Sequence, residues 1–235
     1  MIPFQNPSIQ VFGLRVDEPV TTITDFVISF IGFMAFFKTT GHGNSKTVNL
    51  YRYFFLFTSI STLVAGIIGH AFAYYFGFEF RMIGWVFGII GVTFAQFAAL
   101  FHAKNSISSS VFNWLKIFFV AELFIIAFVL ATYRSFGIVE IQAGIGLVLI
   151  VAGLETFHYS KSKSELSSKM MMGVVLTVLA VVSHVGKLAI SEWFNHMDLG
   201  HVLMALALYT MYTGIQKERI INNANYDNSP ATAQS

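Results

Sequence analysis

The sequence predicts an all-α polytopic membrane protein, a bundle of seven transmembrane helices. Three observations carry that reading. Hydrophobic residues make up 55% of the chain and charged residues 11%, against about 25% charged in soluble domains. The mean hydropathy is +0.67. The apolar residues also fall in runs of about 20, the length at which a helix crosses a bilayer. A membrane barrel would instead show alternating segments of about ten residues.

The seven spans are expected at about 19–38, 51–76, 81–102, 111–133, 136–157, 169–190 and 198–216. The connections GHGNSK, AKNSISSS and HYSKSKSELSSK carry the Gly, Ser and Lys of turns. Residues 1–221 therefore form one domain, and 222–235 (NNANYDNSPATAQS) read as a disordered polar tail. The start MIPFQNPSIQVFGLRVDEP lacks the basic-then-apolar pattern of a signal peptide. A net charge of +2 gives no reason to expect nucleic acid, and the absence of cysteine excludes disulfides, thiolate zinc sites and cysteine nucleophiles. The partners expected are the lipid bilayer and a lipid substrate or ligand. Nothing in the sequence specifies an oligomeric state.

Basic residues orient the spans. Lys38, Lys46, Arg52, Lys104, Lys161, Lys163, Lys169, Lys217 and Arg219 fall on one side, and only Arg15, Arg81, Arg134 and Lys187 on the other. The positive-inside bias then puts the N-terminus outside and the C-terminus inside. A bacterial cytoplasmic membrane is the expected location.

Helix 1 opens DEPVTTITDFVIS, where Asp17 or Glu18 can cap and Pro19 suits the first helical position. Glu18, Thr21, Thr22 and Asp25 recur at i, i+3, i+4, i+7, so they share one face near the outer end. His70 lies toward the outer end of helix 2, above Gly66, Thr62 and Ser59. Glu79 and Arg81 lie at the turn into helix 3. Helix 4 carries Glu122 near mid-depth. Helix 6 ends with Ser183, His184 and Lys187, and helix 7 starts with NHMDLGH, residues 195–201. Eight ionisable groups (Glu18, Asp25, His70, Glu79, His184, His196, Asp198 and His201) thus converge in the outer half of one bundle. Ionisable residues are costly in a membrane and mark functional sites by default. The inner end carries His102, His158 and Glu155, which read as helix-end or packing groups, and His42 falls in a loop.

Histidines and carboxylates at one depth suggest a zinc site. His196 and His201 stand at i, i+5, about 140° apart on a regular helix, so they cannot both face one ion from it. If Asp198 is the N-cap, helix 7 begins at Leu199 and His196 lies in the incoming loop. His196 can then fold over to meet His201, with His70 as the third ligand. Zinc would lower the pKa of water to about 7. Asp198, Glu79, Asp25 or Glu18 could then accept a proton, with His184 and Asn195 in support.

EPVTTITD at helix 1, GIIGH at the end of helix 2 and NHMDLGH at helix 7 resemble the CREST superfamily. That group comprises seven-helix membrane proteins including alkaline ceramidases and adiponectin and progestin receptors; the chain looks most like its small bacterial members. The resemblance covers about residues 17–216. It implies a zinc ion held by His70, His196 and His201, with Glu79 as the assisting acid and Glu18 as the acidic residue of helix 1. It also implies a serine one turn before the first histidine, where this chain has Gly66, and a His-x-x-x-His spacing, here one residue longer.

The function expected is therefore a zinc-dependent membrane hydrolase of a lipid amide or ester, ceramidase-like, with a zinc-activated water as nucleophile. A receptor or sensor with a structural metal is the alternative, as is a transporter or a haem-binding protein using His70 and His184.

Overall fold

The structure, a computed structural model, describes residues 7–41 and 44–227. His42, the first residues of the N-terminal stretch and the 228–235 part of the expected tail lie outside the described residues.

An antiparallel hairpin comes first, β1 (Ser8–Val11) and β2 (Leu14–Asp17), with Ser8 opposite Asp17 and Val11 opposite Leu14. Phe12 and Gly13 turn at φ 50° and 80°, the positive-φ pair that suits a two-residue loop. The sequence predicts no strand here. The hairpin brings Glu18 N to Pro7 O at 2.9 Å, which fixes where helix 1 begins.

The helices follow as α1 (Pro19–Lys38), α2 (Lys46–Val64), α3 (Ala73–Phe76), α4 (Arg81–His102) and α5 (Ser109–Tyr133). Then come α6 (Phe136–Ala143), α7 (Ala152–Ser162), α8 (Glu165–Val185) and α9 (His196–Asp227). α2 continues through a π-helical turn, Ala65–Ala71, and a second π-helical segment, Gly144–Val151, joins α6 to α7. Ser45, Ser108 and Ser164 start α2, α5 and α8 by accepting the N–H of Val48, Val111 and Ser167.

Among the described residues, six helical stretches are long and apolar enough to cross a membrane: Pro19–Lys38, Lys46–Ala71, Phe78–His102, Ser109–Tyr133, Phe136–Ser162 and Glu165–Val185. The second starts before the expected residue 51 because Ser45 caps it. α9 is not one of the six. It runs on to Asp227, so 222–227 are helical rather than a disordered tail. Arg219 Nη1 donates to Lys38 O and Thr40 O, both at 2.8 Å, and Asn222 Nδ2 donates to Ser45 Oγ at 3.2 Å. Those bonds pin the end of α9 to the α1–α2 connection.

α8 packs on α9, α2 on α4, and α1 on both α2 and α9. Ile28, Phe55, Ala95, Val151, Met170 and Leu208 meet in the core. Close approach depends on small residues: a Cβ on Gly32 would stand 2.1 Å from Ser59 Oγ. α5 lies outermost. It buries Phe112, Phe119, Glu122 and Leu130 but exposes Trp114, Ile117, Phe124 and Phe128. Water would not solvate such a face, whereas lipid does.

Candidate functional site

The site is built where α1, the end of α2 and the start of α9 meet. Glu18 occupies the N-cap position of α1 with φ 45° and ψ 54°, yet its side chain caps nothing. Its carboxylate turns to His70 Nδ1 instead. A left-handed conformation at a non-glycine costs on the order of 1–3 kcal/mol, and such strain clusters at functional sites. Thr21, Thr22 and Asp25 are buried on the face of α1 that the i, i+3, i+4, i+7 spacing marks.

His70 stands in the π-helical turn, a feature often found at functional sites. Gly66, in the same turn, lets α1 and α2 touch: a Cβ there would meet the Phe26 ring at 3.0 Å and Asp25 Cβ at 3.1 Å. A serine at this position would collide with the residue at the centre of the site.

Two imidazoles converge on Asp25. His70 Nε2 lies 3.7 Å from Oδ2, and His201 Nε2 lies 3.7 Å from Oδ1. The ring centroids are 6.2 Å apart, near perpendicular at 74°. The far nitrogen of each ring is held: His70 Nδ1 by Glu18, and His201 Nδ1 by Thr24 Oγ1 at 3.0 Å. Thr24 donates its own proton to Thr21 O at 2.9 Å, so it accepts from His201. Both rings thus turn Nε2 toward the Asp25 carboxyl. Asp25 is 2% exposed and its Oδ2 has no hydrogen-bond partner. Asp25 Oδ2 and the two Nε2 atoms face one another in a buried pocket, an arrangement that needs a proton or a metal ion between them.

The start of α9 differs from the expectation. Asn195, not Asp198, is the cap. Asn195 Oδ1 accepts from Met197 N at 2.8 Å, and Asp198 Oδ2 reaches back to Asn195 N at 2.7 Å. This reciprocal capping box starts the helix at His196. His196 and His201 therefore sit on one regular helix, about 140° apart. His201 faces Asp25, while the His196 ring packs beside His184 with centroids 5.2 Å apart. His184 Nε2 itself lies 3.9 Å from Glu140 Oε1 at the rim. Asp198, fully buried, also accepts from Thr21 Oγ1 at 2.7 Å and so ties α9 to α1. Its lone pairs serve the scaffold rather than a proton transfer.

Glu79 is not brought to the histidines. It pairs with Arg134 Nη1 at 2.6 Å with its side chain 61% exposed. Gly77, at φ 75°, turns the chain outward just before it. Of the predicted set, the structure thus gathers Glu18, Asp25, His70 and His201, and sends His184, His196 and Glu79 elsewhere. Among the described residues, no group of three or more His, Cys, Asp or Glu side chains is arranged to hold a metal ion.

A cavity of about 550 Å³ reaches the site, lined by Arg15, Asp17, Glu18, Gly69, His70 and Arg81. Arg15 is held on Asp17 by bonds of 2.6 and 3.1 Å, and that contact raises its pKa. Thr24 and the arginine lining escape sequence reasoning. Thr24 adjoins Asp25 in sequence, but only the fold brings His201 to it.

The chain belongs to DUF6962, a family of unknown function, whose model matches residues 20–220. No curated protein matches it.

Proposed function

We propose that the protein is a metal-dependent integral membrane hydrolase of a lipid amide or ester, with α9 completing a seven-helix bundle in the manner of the CREST superfamily. The observation that carries this reading is the pocket at Asp25, where two Nε2 atoms stand 3.7 Å from a carboxyl whose Oδ2 has no hydrogen-bond partner. Two Nε2 lone pairs and an orphaned carboxylate oxygen are the donor chemistry of a zinc site. Carboxylate and hydroxyl partners on the far ring nitrogens are the support such ligands normally have. Asp25 would take the third position that the sequence assigns to His196, and the three side chains would have to close further to hold an ion, since they are not arranged for one as they stand.

When bound, zinc would supply a Lewis acid and acidify water near neutral pH. The other tasks fall to the chain. Glu18 fixes the His70 ring and, standing on the cavity wall, is the carboxylate positioned to take up a proton. Thr24 fixes the His201 ring, and Asp198 keeps α1 and α9 in register. Arg15, Asp17, Glu18 and Arg81 line the cavity with both signs of charge and suit a substrate with a polar head, whose acyl chains stay in the bilayer.

Metal content of the detergent-purified protein, supplied with zinc, tests the reading. About one zinc per chain is expected, lost in His70→Ala, His201→Ala and Asp25→Ala but kept in His196→Ala. No bound metal in the wild type would end it. Zinc present without hydrolysis of lipid amides or esters would leave a structural metal in a receptor-like protein.

A further inference from the structure

The opposite end of the bundle holds a second carboxylate in a different setting. Glu155, on α7, is fully buried. Its Oε1 accepts from the Tyr51 hydroxyl at 2.7 Å. Its Oε2 accepts from the Ser167 hydroxyl at 2.6 Å and from His102 Nδ1 at 2.8 Å. With its proton committed to Glu155, His102 presents Nε2 as an acceptor. Ser164 Oγ lies 3.4 Å from that nitrogen. This is the loose end of the hydrogen-bond range, as nucleophile–base pairs often are before substrate binds. Ser164 also accepts from Ser167 N as the cap of α8, which leaves its own proton free to go to His102.

Space adjoins this chain of contacts. A cavity of about 380 Å³ is lined by His102, His158, Ser164, Leu166 and Lys217 among others. The His158 ring packs on His102 with centroids 4.3 Å apart, and its Nδ1 is engaged by Ser106 Oγ at 2.8 Å. Glu165 and Leu166, in the first turn of α8, line the same cavity, and first-turn N–H groups have no acceptor within their own helix.

We propose that Ser164, His102 and Glu155 form a second, metal-independent site that hydrolyses carboxylic esters presented at this end of the bundle. Ser164 is the nucleophile, His102 the base, and Glu155 a positioning residue that sets the imidazole tautomer. Ser164 Oγ bonds to the ester carbonyl carbon as its proton passes to His102 Nε2. The carbon–oxygen bond to the alcohol breaks, and the alcohol leaves with that proton. Water then attacks the acyl group and gives a proton to His102. The bond to Ser164 breaks, the carboxylic acid leaves, and Ser164 recovers its proton. The first-turn N–H groups of Glu165 and Leu166, whose residues line the cavity, are the donors for the developing oxyanion, since those of Ser167 and Ser168 are bonded to Ser164. This site does not depend on the Asp25 centre.

The test uses the full chain in detergent with an alkyl fluorophosphonate, read by intact mass and peptide mapping. One adduct is expected, on Ser164. It disappears in Ser164→Ala and forms at least about ten-fold more slowly in His102→Ala, in line with the contribution of a general base. Because the chain contains no cysteine, Ser164→Cys creates a single thiol, which does not require the His102 variant to fold. Its alkylation by iodoacetamide should show a midpoint at least about one pH unit below the free-thiol value of about 8.5. The additional change Glu155→Gln should return it toward that value. An unmodified wild type, an adduct indifferent to His102, or a thiol that titrates as a free one would overturn the proposal.

Discussion

At one end of the bundle Asp25 faces two imidazole Nε2 atoms at 3.7 Å; at the other Glu155 is hydrogen-bonded by one imidazole and two hydroxyls. The residue types are nearly the same, and both carboxyls are buried. The difference lies in the direction of the protons. Glu155 receives three donors and is satisfied. Asp25 receives none at Oδ2, while Glu18 and Thr24 hold the far nitrogens of the two rings. A carboxylate with its donors in place locks its neighbours, and one without them is left open to a proton or a metal ion.

Substitution at the two carboxylates gives the largest contrast. Glu155→Ala strands two buried donors, Tyr51 and Ser167, at about 1–3 kcal/mol each, and the partly buried His102, so its midpoint of thermal unfolding in detergent should drop sharply. Asp25→Asn brings an amide N–H into a pocket of acceptors. The metal-free protein should be as stable as wild type or about 1 kcal/mol more so, while zinc binding is lost. Equal destabilisation by both would break the comparison. Next in size is Gly66→Ser, which forces a side chain against Phe26 and Asp25 and should cost about 1–3 kcal/mol. Zinc affinity should fall with it, although serine is what the family resemblance leads one to expect there. Asn195→Ala removes the cap that sets the phase of α9 and should cost about 1 kcal/mol. The smallest effect belongs to Glu79→Ala. An exposed ion pair contributes little, so stability should stay within about 0.5 kcal/mol and zinc content should not change. Loss of zinc in that variant would return Glu79 to the site.

Helical periodicity made one part of this legible. The Glu18–Thr21–Thr22–Asp25 spacing placed the polar face of α1 correctly, and helix alternation brought His70 and His201 to the same depth. What periodicity could not reveal was local phase. Whether Asn195 or Asp198 caps α9 decides where His196 points, and both are good caps; the reciprocal bond between them settled it. The π-helical turn that aims His70 leaves no mark in the apolar pattern. At the far end, His102 and Glu155 looked like packing groups, because their partners Tyr51, Ser164 and Ser167 come from distant helices and read singly as ordinary surface or core residues.

The turn at Ala65–Ala71 has a hereditary consequence. A π-helical turn holds one residue more than the α-helix around it would use. Loss of a single codon there would let the helix run straight and still span the same thickness. The helix beyond the turn would keep its phase, while residues inside the turn, His70 among them, would be re-aimed and His70 would leave Asp25. One residue in this turn therefore decides whether the two imidazoles meet, while the bundle itself does not depend on it.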